Sequence, residues 1–321
     1  MKQSIFRVLE NTPLTETVYR MRLEGDTTHI TSSGQFVNVQ LDGLYLRRPI
    51  SVNDREGNVL TLIYKVVGEG TARMARMAPG TELDVLTGLG NGYDTSVSGD
   101  SPLLIGGGVG VPPLYLLCKE LLAEGKHPRV ILGFNTAAEV FGEAEFLALG
   151  VPVTVTTVDG SQGVKGFVTA AMDGAYSYVY TCGPEPMLRA VYNTATSGGQ
   201  FSFEERMGCG FGACMGCSCK TKYGNKRICK EGPVLVKEEI IWLIPLSSWE
   251  IGCWIIPSFP RAAPSATATS LPTCTISTVL ALSPLRARRS RVASATPPPA
   301  SRNAPRVCSM PSGCKIPAQS R

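Results

Sequence analysis

No stretch of about 18 consecutive apolar residues, the length a membrane-crossing helix needs, occurs in this 321-residue chain. The N-terminus, Met1-Lys2-Gln3-Ser4-Ile5-Phe6-Arg7, also lacks the apolar core of a signal peptide, so the expected compartment is the cytoplasm and no membrane partner is expected. Histidine is scarce: His29 and His127 are the only two. Neither has a Cys, Asp or Ser constellation nearby, which argues against a His-based triad or metal site and for two surface residues. Basic charge is missing where nucleic acid would need it. The chain carries +5 overall, but nine Lys/Arg and one acidic residue, Glu250, lie beyond residue 242. The first 242 residues therefore hold 22 basic and 25 acidic groups, and nucleic acid is not an expected partner.

What is present suits a folded protein of two or three domains, with 43% hydrophobic and 18% charged residues. Residues 1–99 read as short strands. Ile5-Phe6-Arg7-Val8-Leu9, residues 17–23, 35–41 and 59–67 alternate or are β-branched, and turn signals such as Asp54-Arg55-Glu56-Gly57-Asn58 separate them. Strands at this spacing predict a small antiparallel β-barrel. Over residues 100–200 the pattern becomes strand, helix, strand, with strands near 103–105, 130–134, 151–156 and 178–182 and helices over 112–124, 137–149 and from Pro186. That alternation predicts a doubly wound, mostly parallel α/β sheet. Residues 201–242 form a cysteine-rich segment. Residues 243–321 differ in kind. They hold twelve of the 23 prolines and no sustained apolar period. Such a composition reads as a disordered basic tail. The abrupt reversal of charge favours translation out of frame past a natural end near Trp242. Its thiols, Cys253, Cys274, Cys308 and Cys314, are not expected to be ligands.

Eleven cysteines in a cytoplasmic chain read as metal ligands or free thiols rather than disulfides. Four stand out: Cys209, Cys214, Cys217 and Cys229, with four, two and eleven residues between them. C-x4-C-x2-C with a more distant Cys is the plant-type [2Fe–2S] spacing. Gly208, Gly210, Gly212 and Gly216 interleave them and allow backbone N–H groups to approach sulfur. The alternative is a structural zinc site in a non-enzymatic module, although such sites usually show two C-x2–4-C pairs set well apart. Cys219 is a fifth candidate, read as a spare thiol.

Four further motifs suit nucleotide cofactors. Arg47-Arg48-Pro49-Ile50-Ser51 offers a cation for a pyrophosphate and a hydroxyl for a flavin ring. Ile63-Tyr64-Lys65 is followed by Gly68-Glu69-Gly70-Thr71, which would open a helix and present N–H groups. Gly106-Gly107-Gly108-Val109-Gly110-Val111-Pro112-Pro113 joins an apolar strand to a helix, where a dinucleotide loop belongs, although Val111 departs from the strict G-x-G-x-x-G. Cys182-Gly183-Pro184-Glu185-Pro186-Met187 ends a later strand, and strand C-termini in such sheets line the ligand crevice.

In this order the motifs resemble the ferredoxin–NADP reductase superfamily. With Glu205-Arg206-Met207-Gly208-Cys209-Gly210-Phe211-Gly212-Ala213-Cys214 and Gly232-Pro233-Val234, residues 1–242 are similar to the electron-transfer subunits of NAD-dependent, type B dihydroorotate dehydrogenases. The resemblance implies FAD on Arg48, Pro49, Ile50, Ser51, Ile63, Tyr64, Lys65, Gly70 and Thr71. It implies NAD on Gly106, Gly107, Gly108, Gly110, Cys182, Gly183 and Pro184, and a [2Fe–2S] cluster on the four cysteines. Ile50 stands where many superfamily members carry Tyr. The resemblance also implies a partner, an FMN-containing catalytic subunit in a hetero-oligomer, expected as a heterotetramer, that oxidises dihydroorotate in pyrimidine synthesis. Residues 135–139 hold no Arg or Lys for a 2′-phosphate, which favours NAD over NADP. The rival within the superfamily is another flavin/iron–sulfur oxidoreductase subunit, such as a sulfide dehydrogenase or a ferredoxin–NADP reductase.

Overall fold

A computed structural model describes residues 1–242. The reading of residues 243–321 and its four cysteines lie outside the described residues. Six strands close an antiparallel barrel in the order β1-β2-β5-β4-β3-β6: β1 (Lys2–Pro13), β2 (Val18–Glu24), β3 (Phe36–Val39), β4 (Arg48–Glu56), β5 (Val59–Lys65) and β6 (Glu82–Leu89). Alternation explains most of them. Along β1, Phe6 and Val8 point inward, and along β2, Met21 and Leu23 do so. Closure leaves no free sheet edge. A short helix, α1 (Glu69–Met74), follows β5 and opens at the expected Gly68-Glu69-Gly70-Thr71 turn.

The expected α/β sheet is present and larger. Its strands are β7 (Leu103–Gly107), β8 (Arg129–Phe134), β9 (Val153–Thr157), β10 (Val164–Lys165), β11 (Val179–Cys182) and β12 (Gly199–Ser202). The order β10-β9-β8-β7-β11-β12 is parallel throughout. Helices α2 (Pro112–Ala123), α3 (Glu143–Ala148) and α4 (Glu185–Thr194) connect them. The helix expected over 137–149 is cut short: a single 3-10 turn at Ala137–Glu139 precedes Gly142, whose φ of +82° interrupts the path before α3. The cysteine segment supplies a hairpin, β13 (Ser218–Thr221) and β14 (Gly224–Arg227), one helical turn, α5 (Ile228–Glu231), and β15 (Val234–Val236). Strand β15 pairs antiparallel with β12, so the segment covers the sheet edge instead of standing apart.

The described residues lie within one compact unit. Barrel and sheet meet through α2. Val18 and Ile63 of the barrel share a core with Val111, Leu114 and Leu117. Lys119 bonds Asp54 and Glu56, each at 2.9 Å, and the Ser33 hydroxyl donates to Glu120 at 2.6 Å. The connecting stretch is fastened too: Gln200 exchanges hydrogen bonds with the backbone of Asp94 at 2.9 and 3.0 Å, and Tyr180 donates to the Asp94 carbonyl at 2.7 Å. No helix among the described residues is long and apolar enough to cross a membrane. Both histidines are exposed, as expected.

Candidate functional site

The parallel sheet reverses direction of growth between β7 and β11: from β7 the chain builds outward through β8, β9 and β10, then returns to place β11 on β7's other side. Ligands of open α/β sheets bind at the carboxyl ends of strands flanking such a point. The two expected dinucleotide motifs sit there. Cys182 pairs in register with Gly106. Gly110 packs directly on the second motif, where a Cβ would stand 2.3 Å from the Cys182 carbonyl oxygen and 2.6 Å from the Gly183 Cα. Gly107 and Gly183 face each other across Met187. Burial pushes the Cys182 thiol up to about 12, so it is a neutral group. A narrow cleft continues from Gly108 and Val109 to Lys65 of the barrel, with Phe134, Glu139 and Phe141 on its sheet side. A second cavity, about 320 Å³, lies at the opposite end of the sheet near His127 and Arg129, away from every motif.

In the barrel, Arg48 opens β4 and its guanidinium lies over Gly70, where a Cβ would stand 2.2 Å from Nε. Thus Arg48 and the Gly70-Thr71 turn, distant in sequence, form one cradle. The Thr71 hydroxyl accepts the Val67 N–H at 2.9 Å and closes the turn before α1. Arg47 behaves differently. It forks onto the Asp84 carboxylate at 3.0 and 3.1 Å and is structural. Pro49, Ile50 and Ser51 continue β4 opposite β3. The flanking residues of β5 diverge. Ile63 packs toward the sheet, and Lys65 is exposed. The Tyr64 side chain is buried in the barrel, where its hydroxyl donates to Asn11 Oδ1 at 3.0 Å and its ring stacks on Tyr19. Of these three, only Lys65 lines the cleft to the glycine loop.

The cysteine loop is shaped by backbone-to-sulfur hydrogen bonds. Cys209 Sγ accepts from the Ala213 N–H at 3.2 Å and the Cys214 N–H at 3.4 Å. Cys214 Sγ accepts from Cys209 and Gly216, and Cys217 Sγ from the Cys229 N–H at 3.4 Å. Gly210 and Gly212 adopt φ of +78° and +92°, the left-handed turns this wrapping needs. The four thiols thus stand as two pairs, Cys209 with Cys214 and Cys217 with Cys229. Among the described residues no group of three or more Cys, His, Asp or Glu is arranged around a single metal ion. Burial alone would raise the Cys209 thiol, but N–H donors from Phe211, Cys214 and Ala213 outweigh it and bring it to about 6. Burial and the adjacent Cys217 thiol push Cys229 up to about 12. Thiolate-directed donors and paired sulfurs are what a cysteine-ligated iron–sulfur cluster uses. Cys219 lies apart on β13, near the Lys220 carbonyl, and joins neither pair. Cys217 and Cys229 are buried, while Cys214 and its neighbours Phe211 and Met215 are exposed.

Comparison with known proteins decides the family. A protein-family model described as the iron–sulfur cluster binding domain of dihydroorotate dehydrogenase B matches residues 204–241. The electron transfer subunit of dihydroorotate dehydrogenase B (NAD(+)) from Fusobacterium nucleatum is 42% identical over 257 residues, covering 75% of this chain and 99% of the relative. This chain belongs to that family. The Bacillus pumilus electron transfer subunit is 41% identical over 255 residues, covering 98% of its length. Membership makes the chain an oxidoreductase subunit of pyrimidine biosynthesis that works beside a catalytic partner subunit. Among solved structures, an NADH-dependent reduced ferredoxin–NADP oxidoreductase matches with TM-score 0.68 and 27% identity over 74% of this chain and 90% of that one. A Neisseria gonorrhoeae ferredoxin NADP+ reductase with bound FAD and NADP shares the fold at TM-score 0.54 and 15% identity. The chain therefore joins an FAD/NAD-binding fold to an iron–sulfur cluster binding domain.

Two residues in the site escaped sequence reading. Asn38 on β3 reaches the Cys209 carbonyl at 3.3 Å, and Arg227 donates to the Gly212 carbonyl at 2.7 Å while paired with Glu231. Arg227, two residues before Cys229, could have been suspected from that spacing. A lone Asn in an apolar strand carried no signal.

Proposed function

We propose that this chain passes electrons between a partner's FMN and NAD+, with one cofactor in each of three regions. Residues 1–99 would hold FAD through Arg48, Pro49, Ile50 and Ser51, with Ile63, Tyr64, Lys65, Gly70 and Thr71 completing the site. Residues 100–200 would hold NAD through Gly106, Gly107, Gly108, Gly110, Cys182, Gly183 and Pro184. Residues 201–242 would hold a [2Fe–2S] cluster on Cys209, Cys214, Cys217 and Cys229. Electrons from dihydroorotate oxidation would cross singly by way of the cluster, be paired at FAD, and leave as hydride to NAD+.

The observation that carries this reading is the pairing of the four thiols. A binuclear cluster takes two thiolates at each iron, whereas zinc draws four around one point. The Arg48 guanidinium over Gly70 supplies the fixed cation that a pyrophosphate favours. Glu139, just past β8, accepts from Asn135 Nδ2 at 2.9 Å and places a carboxylate at the cleft, which favours a ribose 2′-hydroxyl and repels a 2′-phosphate. The exposed thiol of Cys214 with Phe211 and Met215 gives the cluster an open side. An FMN-bearing partner would cover it in a cytoplasmic heterotetramer.

The test is co-expression with the catalytic subunit, then an assay of dihydroorotate-dependent NAD+ reduction. The expected complex contains FMN, FAD and two iron atoms per copy of this chain. A complex that lacks iron, or that reduces NAD+ from sulfide but not from dihydroorotate, would refute it.

A further inference from the structure

Asn38 joins the two sites that the proposed electron route connects. It lies on β3 opposite Pro49, hence beside the strand that carries Arg48 and Ser51. It is 1% exposed, between Val37 and Val39, which are fully buried. Its Nδ2 donates to the carbonyl of Cys209, a cluster cysteine, at 3.3 Å. Its own carbonyl accepts from Arg47 Nη1 at 3.3 Å, and Arg47 is anchored on Asp84 of β6. Gly210 closes on the same amide from the other side, where a Cβ would stand 2.2 Å from Nδ2.

Packing does not account for an asparagine here. Its Oδ1 is buried with no hydrogen-bond partner. Leaving a buried acceptor unsatisfied costs about 1–3 kcal/mol, and an apolar side chain of equal size would avoid that. The polar group is therefore retained for what its other end does, which is to tie the Cys209 backbone to the barrel. The loop around Cys209 makes its own sulfur hydrogen bonds and one to Arg227, and Met207 and Cys209 pack on the core that holds Phe36, Leu86 and Leu89; the Asn38 bond adds a directed tie from Cys209 to the strand beside β4.

We infer that Asn38 is a positioning residue for electron passage between flavin and cluster. The inference rests on the cofactor reading above. In the direction easiest to observe, NADH gives a hydride to FAD and becomes NAD+. One of the two electrons then reduces the oxidised cluster and the other stays on the flavin. Asn38 acts on the second event only, because the nicotinamide crevice lies on the sheet.

The test uses the full-length chain in complex with its catalytic partner and two variants that break the tie from opposite sides, Asn38→Leu and Gly210→Ala. Outer partners of metal ligands typically change affinity or activity by about 10–100-fold when removed. Asn38→Leu is expected to keep full iron and flavin, to melt no lower than the parent, and to leave flavin reduction by NADH unchanged. Appearance of the reduced-cluster signal, followed by freeze-quench electron paramagnetic resonance, is expected to slow by about tenfold, with altered g-values. Gly210→Ala should slow the same phase. Cluster reduction within twofold of the parent in both variants, with cofactors intact, overturns the inference. Loss of iron from Asn38→Leu with flavin retained also overturns it, because Asn38 would then hold the cluster site together and not its placement. A parent complex without iron or flavin would instead fail the cofactor reading.

Discussion

Substituting Gly110 by alanine tests whether the crevice is built by backbone contact. The added Cβ would meet the Cys182 carbonyl oxygen at 2.3 Å, its carbon at 2.5 Å and the Gly183 Cα at 2.6 Å. All three are backbone atoms, so no flexible side chain can swing aside. Ordinary contact needs about 3.4–4 Å, and the turn at Gly108–Gly110 would have to move roughly 1 Å off the carboxyl end of β11. Overpacking of this kind costs about 1–3 kcal/mol. For a folded unit of this size that corresponds to a melting temperature lower by roughly 2–12 °C. The functional effect should be larger, since a 1 Å misplacement can cost about 100-fold in rate. The assay is NADH-dependent ferricyanide reduction by the FAD-loaded chain, which bypasses cluster and partner. A higher KM for NADH and turnover reduced by about 10–100-fold are expected, with flavin content unchanged because the Arg48–Gly70 cradle is in the barrel. An unchanged melting temperature, with KM and turnover within twofold of the parent, would refute the assignment of this crevice to the nicotinamide nucleotide.

Two further outcomes follow from the geometry. Cys214→Ser should abolish electron passage to the partner while reduction of FAD by NADH survives; unchanged partner-coupled turnover would remove Cys214 from the ligand set. The pH dependence of stability should carry a contribution from Glu120, whose carboxyl is raised by burial against the opposing Ser33 hydrogen bonds. A carboxyl raised in the folded state binds its proton more tightly there, so stability is greatest below the unfolded value and declines as pH climbs through the folded one. Glu120→Gln should flatten that decline in urea titrations taken from about pH 4 upward, and a parallel pH profile would contradict the sign.

How much was legible can be seen element by element. Phe6, Val8, Met21 and Leu23 alternate, and β1 and β2 were readable from them. Strand β6 shows the same alternation in Leu83, Val85 and Leu89, yet it is not among the strands expected from sequence. Strand β4 had little local signal. Pro49, Asn53, Asp54 and Glu56 are poor strand formers, and β4 exists because β3 and β5 flank it. The covering of β12 by β15 was hidden for the same reason: three residues form a strand only when an edge is offered.

The sequence by itself determined the chemistry. The spacing of Cys209, Cys214, Cys217 and Cys229, the position of the glycine run after an apolar strand, and the order of the motifs are local properties of the chain. They carry ligand type and cofactor class because those depend on which atoms a short loop can present. Only the tertiary structure decided which motifs meet. Arg48 over Gly70, Gly110 against Cys182, and Asn38 on the Cys209 carbonyl join residues between 22 and 171 positions apart. Such contacts are set by barrel closure, sheet order and the packing of α2, which no local window of sequence records. The cysteine loop could be recognised from its own residues; its hydrogen bond to the buried Asn38 of the barrel was revealed only by the fold.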